Sequence, residues 1–300
     1  MSLYARLASR GATGFGYGSS AAEVVADLDL HGRCILVTGT SSGLGQETAR
    51  VLLSRGARVI GTVRTAGSSG ALVSQASFHE VICDLADIAS VRACVTGVAS
   101  EMPLDALIAN AGIMALPTKQ TVHGCERQLF TNHVGHFGLV TGLRDRLKDD
   151  ARVVMLTSEA HRMAPSGPVL LQGDRRYVPL RAYGISKLAN LLFAKALARR
   201  FAGTQRTANA VHPGVIQTNL GRTLESPLLR AAFAIARPVA LKDIAQGAAT
   251  QCLLAVHPAA AGINGRYWAS CNVARSSAIT EDVTLAETLW SDTEALLASI

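Results

Sequence analysis

Downstream of Gly32 the chain alternates between two patterns of apolar and polar positions. Short, nearly continuous apolar runs occur at Cys34–Thr38, Arg58–Val63, His79–Cys83, Leu104–Ala109, Arg152–Thr157, Thr207–His212 and Arg266–Ala269. Runs of this length predict strands covered on both faces. Between them, Leu44–Arg55, Ile88–Ser100, Leu180–Phe201 and Lys242–Ala255 repeat their apolar positions with helical period. Strands alternating with helices imply parallel pairing through right-handed crossovers. The predicted fold is α/β, a single-domain Rossmann-type doubly wound parallel sheet of about seven strands with helices on both faces. It takes up residues 31–300. Residues 1–30 read as an N-terminal extension, punctuated by Gly11, Gly14, Gly16 and Gly18, with a short helical stretch around Ala21–Asp27. The chain has no internal repeat.

At 300 residues, 49% hydrophobic and 17% charged, the chain can bury a core of that size. A formal net charge of +7 raises the question of a nucleic-acid or anionic-membrane partner. The basic residues lie singly or in pairs, as in Arg175-Arg176 and Arg199-Arg200, so no nucleic-acid partner is expected. Six cysteines are scattered without a CxxC pair, which predicts reduced thiols, no disulfide framework and no metal site. No apolar stretch reaches signal-peptide or membrane-spanning length. The expectation is a cytoplasmic protein without an integral membrane segment.

Candidate chemistry begins where the first strand meets the first helix, at Thr38-Gly39-Thr40-Ser41-Ser42-Gly43-Leu44-Gly45. Gly39 permits the tight turn, Gly43 lets backbone approach a pyrophosphate, and Gly45 allows close helix–strand packing. Amides at the helix start, with the helix dipole, favour a phosphate there. After the second strand, an acidic residue would bind the ribose of NAD; this chain has Arg64 instead. A guanidinium suits a 2′-phosphate, so NADP(H) is expected over NAD(H). Asp84, after the third strand, is placed for an adenine amino group, and equally for a helix cap.

Tyr183 and Lys187 are spaced i, i+4 in a helical segment, which puts them on one face. An ammonium beside a phenol lowers the phenol pKa from about 10, which suits proton exchange with a substrate oxygen. Ser158 follows the strand Arg152–Thr157 at the edge where open α/β sheets bind ligands. Its hydroxyl can orient a carbonyl and stabilise developing charge. Asn110-Ala111-Gly112 forms a tight turn after the fourth strand, and Asn132 lies in Thr131–Phe137. Pro213 and Gly214 break the chain after the sixth strand, leaving Val215 to Thr218 within reach of a nicotinamide amide.

In this order, TGxxxGxG, NAG, Asn, Ser, YxxxK and PG resemble the short-chain dehydrogenase/reductase family. The stretches TNHVGHF (Thr131–Phe137), YGISKLANLLF (Tyr183–Phe193) and HPGVIQTNL (His212–Leu220) are similar to its retinol-dehydrogenase-like branch, which includes WW-domain oxidoreductases. The resemblance runs from about Leu28 to the C-terminus. It implies Tyr183 as general acid in reduction or base in oxidation, and Lys187 as the group that lowers its pKa and holds the nicotinamide ribose. Ser158 would bind the substrate oxygen, and Asn132 would anchor a water relay behind Lys187. The cofactor would lie against Gly39, Ser41, Ser42, Gly43, Leu44 and Gly45, then Arg64, Asp84 and Leu85. It would continue past Asn110, Ala111 and Gly112 to Tyr183, Lys187, Pro213, Gly214, Val215 and Thr218. A small-molecule substrate follows, and a homodimer is an assembly the resemblance allows. Two departures are mild: Ala109 replaces a frequent asparagine before NAG, and Thr157 a frequent serine before Ser158. The N-terminal anchor of many retinol dehydrogenases has no counterpart in the sequence, which argues against retinoids.

His123, His133, His136, His161 and His212 lie on different elements without a ligand pattern, so structural or surface roles are expected. A substrate lid is expected around 219–240, where Pro227–Ala240 is rich in apolar residues. The expected activity is NADP(H)-dependent hydride transfer between nicotinamide and the carbonyl or alcohol carbon of a largely apolar small molecule. The alternatives are reduction of a carbon–carbon double bond and a non-catalytic NADPH-binding sensor on the same fold.

Overall fold

The computed structural model describes residues 9–169, 171–173, 176–216 and 241–300. The expected lid and Thr218 lie outside them. Helix α1 (Ala21–Val25) opens on a capping box: Ser20 Oγ accepts from the Glu23 amide, and the Glu23 carboxylate accepts from the Ser20 amide. Strand β1 (Cys34–Thr38), α2 (Gly43–Leu53), β2 (Arg58–Val63), β3 (Phe78–Ile82), α3 (Ile88–Ala99) and β4 (Leu104–Ala109) follow. A π-helical turn, Phe130–Val134, then leads into α4 (Gly135–Gly142), β5 (Leu147–Leu156), α5 (Pro179–Arg200) and β6 (Thr207–His212). The chain ends with α6 (Ile244–Val256), the hairpin of β7 (Tyr267–Ala269) and β8 (Asn272–Ala274), and α7 (Val283–Ala298).

The sheet runs β8-β7-β6-β5-β4-β1-β2-β3. Every pair is parallel except β7–β8. The doubly wound sheet matches the expectation, with eight strands in place of about seven. The additional strand, β8, turns back through Ser270 and Cys271, both at positive φ (50° and 63°). Two consecutive positive φ values are what a tight hairpin demands, and Asn-Gly usually supplies them. Here tertiary hydrogen bonds hold the turn: the Cys271 amide donates to Thr250 Oγ1 at 3.0 Å, and Thr13 Oγ1 donates to the Cys271 carbonyl at 2.9 Å.

Strand residues alternate between two cores, because successive side chains leave opposite faces. Cys34 and Leu36 of β1 point toward α3, α4, α5 and α7; Ile35 and Val37 point toward α1, α2 and α6. Ala21, Val24, Val25 and Leu30, from the stretch read as an extension, are part of the second core. Between the β1–β2–β3 series and the β4–β7 series the strand order reverses. That reversal opens a crevice at the carboxyl edge, between β1 and β4. Among the described residues no helix is long and apolar enough to cross a membrane.

Helix α7 closes the first core with Trp290, whose ring lies 4.8 Å from Phe137 and 5.4 Å from Phe193. The Arg200 guanidinium stacks on its other side at 3.6 Å. Truncating a packed indole loses burial and leaves a void, so Trp290→Ala should destabilise the protein by about 3–5 kcal/mol. Urea unfolding midpoints of the two proteins, at unchanged m-value, check this.

Candidate active site

The carboxyl ends of β1 to β4 border a cleft of about 330 Å³. Gly39, Ser41, Ser42 and Leu44 line one part of it, Arg64, Asp84 and Leu85 another, and Asn110, Ala111 and Gly112 a third. Ten residues expected against the cofactor thus meet in one cavity. Gly39 adopts φ +76°, and a Cβ on Gly45 would lie 2.2 Å from the Gly39 carbonyl oxygen and 2.5 Å from Asn110 Nδ2. Only glycine lets α2 begin this close to the ends of β1 and β4. Gly43 and Gly45 therefore shape the turn without lining the cleft. Gly43 instead borders a wider outer groove of about 740 Å³ that contains none of the catalytic candidates. The turn is fixed to its neighbour through Thr38. Its Oγ1 accepts from the Asn110 and Ala111 amides, both at 2.9 Å, and its carbonyl accepts from Asn110 Nδ2 at 2.8 Å.

Asp84 lines the cleft and also makes the local turn: Oδ1 accepts from the Ala86 amide at 2.9 Å. Eight lining residues escaped sequence reasoning, Thr131 and Arg127 among them. Thr131 has a buried hydroxyl that finds no partner among the described residues, and Arg127, one helical turn earlier, lines the same cleft. Their i, i+4 spacing next to Asn132 was the available signal, but no motif marks it. A glycine cradle, a guanidinium at Arg64 and an unpartnered hydroxyl at Thr131 fit a phosphorylated dinucleotide.

Deeper in, α5 starts on Pro179 at its first turn and brings Tyr183 and Lys187 to one face. Lys187 is 2% exposed. Its Nζ donates to the Leu156 carbonyl at 3.1 Å and lies 5.5 Å from the Tyr183 ring centre. The same carbonyl accepts from Asn190 Nδ2 at 3.0 Å, and Thr157 Oγ1 donates to the Lys187 carbonyl at 2.6 Å. The Ser158 side chain faces the Tyr183 phenol. The Ser158 backbone is held by His161, whose Nδ1 donates to the Ser158 carbonyl at 2.7 Å while Nε2 accepts from the Ser277 amide at 3.1 Å. Asn132, fully buried in the π-turn, clasps the Ile113 backbone: Oδ1 accepts from its amide at 2.8 Å and Nδ2 donates to its carbonyl at 2.9 Å. Asn132 Nδ2 also donates to Ser186 Oγ, which donates onward to the Tyr183 carbonyl at 2.7 Å. A Cβ on Gly112 would lie 3.0 Å from Asn132 Oδ1 and 3.4 Å from Lys187 Nζ. All four catalytic candidates therefore converge beside the cleft.

Electrostatics correct one expectation. Lys187 does not lower the Tyr183 pKa in this structure; burial pushes it up to about 12, with the Ser158 side chain opposing. Burial likewise pulls Lys187 down to about 8. The reason is geometric: Nζ is spent on a backbone carbonyl and stands off from the phenol. Desolvation, which disfavours each charged form, then dominates.

The remaining candidates are placed elsewhere. Pro213, Gly214 and Val215 sit at the end of β6 and do not line the cleft. Gly214 has φ +98° with Lys242 packed behind it, where a Cβ would meet Cδ at 2.8 Å. His123 is exposed, and His133 is buried beside Phe137 and Phe193. Among the described residues no group of three or more ligating side chains forms a metal cluster.

Comparison with known proteins agrees with this geometry. The family model described as short chain dehydrogenase matches residues 33–228. Short-chain dehydrogenase TIC 32 B, chloroplastic, from Brassica napus is 38% identical and matches all of both chains. Retinol dehydrogenase 14 from Homo sapiens is 36% identical, with 89% of this chain and 87% of that one matched. Among solved structures, an uncharacterized protein from Mycobacterium paratuberculosis has a TM-score of 0.74 at 33% identity, covering 94% of this chain and 98% of its own. An NAD(P)-dependent gluconate 5-dehydrogenase from Beutenbergia cavernae with bound NADP has a TM-score of 0.64 at 26% identity, covering 81% and 96%.

The buried lysine has a measurable consequence. Its folded pKa of about 8 lies below the ordinary 10.5, so the unfolded chain binds the extra proton between those values. Stability then rises with pH across that window, and the burial penalty is present in full below it. Lys187→Met should be more stable than the parent at pH 7 by about 3 kcal/mol, a margin that disappears above about pH 10.5. Urea unfolding of both proteins at neutral and alkaline pH measures the difference.

Proposed function

The chain belongs to the short-chain dehydrogenase family, an oxidoreductase family, and from that membership we propose that it is an NADPH-dependent carbonyl reductase. The observation that carries this reading is the convergence of the Tyr183 phenol, Ser158 and the buried Lys187 ammonium beside a glycine-lined cleft. When bound, the cofactor supplies the hydride. Ser158 would donate a hydrogen bond to the substrate carbonyl and set the carbon toward the cleft. Tyr183, protonated at neutral pH, would transfer its phenolic proton to the oxygen as negative charge develops there. The Lys187 ammonium would hold the nicotinamide ribose, and Asn132, anchored on Ile113, would hold a water behind it for reprotonation. The protonated phenol is the form that donates to the substrate oxygen in reduction, and the phenolate is the form that accepts in oxidation.

NADP(H) over NAD(H) rests on Arg64, the exposed guanidinium at the end of β2 that lines the cleft. A charge-assisted bond to a phosphate contributes roughly 1.5–3 kcal/mol. Arg64→Ala should therefore weaken NADPH binding by about ten-fold or more and leave NADH binding unchanged, measured by titration calorimetry. The substrate is read as a largely apolar small molecule, on the apolar sequence of 227–240.

Turnover tests the central claim. With NADPH and a panel of aldehydes, ketones, quinones and conjugated enones, the parent should oxidise NADPH. Tyr183→Phe should lower kcat by about 100-fold or more while NADPH affinity stays within about two-fold. Unchanged kcat in that variant would remove Tyr183 from the chemistry. Saturation of the double bond with the carbonyl intact would assign the reaction to carbon–carbon reduction.

A further inference from the structure

His136 is fully buried on α4, one turn after Asn132. Its Nδ1 lies 2.9 Å from the Asn132 carbonyl oxygen and its Nε2 2.9 Å from Thr38 Oγ1. A carbonyl only accepts, so Nδ1 carries the proton. Thr38 Oγ1 already accepts the amides of Asn110 and Ala111, so its own hydrogen goes to Nε2. One neutral tautomer satisfies every partner, and no other protonation state does. Desolvation, opposed by the Asn132 carbonyl and reinforced by the nearby Lys187 charge, holds the ring pKa down to about 4, so this state persists across the neutral range.

This ring adds a second link between segments that the Asn132–Ile113 clasp already brings together. Thr38 ends β1 and starts the glycine loop. Through its hydroxyl it holds the Asn110-Ala111 turn along the cleft. Asn132 holds the Ile113 backbone and, through Ser186, the Tyr183 turn of α5. The imidazole bridges the first group to the second. Asn132 lies within the π-turn Phe130–Val134 that leads into α4. We propose that His136 is a positioning residue: it sets the cofactor cleft in register with Asn132 and the Tyr183–Lys187 pair, so that hydride and proton delivery are aimed at one substrate carbonyl. This rests on the oxidoreductase reading above.

Substituting the ring in the full-length protein tests it. His136→Phe keeps a planar ring and loses both hydrogen bonds. His136→Asn places an amide NH near the position of Nδ1 and restores the bond to Asn132. Three readouts are used: kcat against NADPH KM, the emission spectrum of bound NADPH, and histidine ¹⁵N spectra. The parent should show the Nδ1–H tautomer at His136. His136→Phe should lower kcat by about ten- to a hundred-fold with NADPH KM nearly unchanged, and should shift the bound-NADPH emission. His136→Asn should recover most of both. A merely core-filling ring predicts loss of stability with kcat and emission intact, and that result overturns the proposal. An Nε2–H tautomer in the parent also overturns it, and needs no variant to fold. Should the parent bind NADPH yet reduce nothing in the panel, the reductase reading fails, and the emission of the two variants still decides the role of His136.

Discussion

The carbonyl of Leu156 is the point on which the catalytic geometry depends. It ends β5, and it accepts from two side chains of α5 at once, Lys187 and Asn190. Thr157 returns the favour by donating to the Lys187 carbonyl. Three bonds thus tie the end of a central strand to the middle of the longest helix. Ser158 comes from the strand side of that joint and Tyr183 from the helix side, so the joint brings the two side chains face to face. The joint is buried, where a lost partner would leave an unsatisfied polar group, and this makes it stiff. A rigid pair of elements presents a reacting pair of side chains more accurately than loops do.

Much of the fold was legible because its signals are local. Buried parallel strands announce themselves as apolar runs, and β1, β2, β4 and β6 were delimited to the residue. The glycine loop was legible because a close approach of backbone to backbone, such as Gly45 on Gly39, leaves no alternative residue. Tyr183, Lys187 and Ser158 were legible through spacing and strand position. What remained hidden depends on tertiary partners. The β7–β8 hairpin uses Ser-Cys where turn chemistry predicts glycine, and Thr250 and Thr13 from distant segments make that tolerable. The π-turn at Phe130–Val134 has no sequence code of its own. Thr131, within that turn, and Arg127, just before it, both line the cleft.

The Tyr183 result shows why chemistry is harder to read than position. A Tyr-x-x-x-Lys spacing fixes neighbourhood on a helix face, but a pKa is set by the balance of desolvation against partner charge. The Lys187 ammonium gives its shortest contact to a carbonyl, and the phenol keeps its proton. A sequence can place an ammonium and a phenol one turn apart without saying which atom receives the hydrogen bond. That distinction separates a resident phenolate from a resident phenol.

The C-terminal segment packs against the turn that carries Ser158. Ser277 donates to His161, which holds the Ser158 backbone, and Arg162 donates to the Arg275 carbonyl. Tyr267 of β7 donates to Glu159, the residue after Ser158. From the other terminus, Thr13 fixes the hairpin that carries β8, and Tyr17 stacks under the buried Lys242 ammonium at 4.7 Å. The cofactor cleft uses none of these residues; it is lined from the ends of β1 to β5 and the segment leading into α4. Ser158, by contrast, is buttressed from the C-terminal segment through His161 and Ser277, so a change at 267–280 reaches a catalytic candidate while leaving the cleft lining in place.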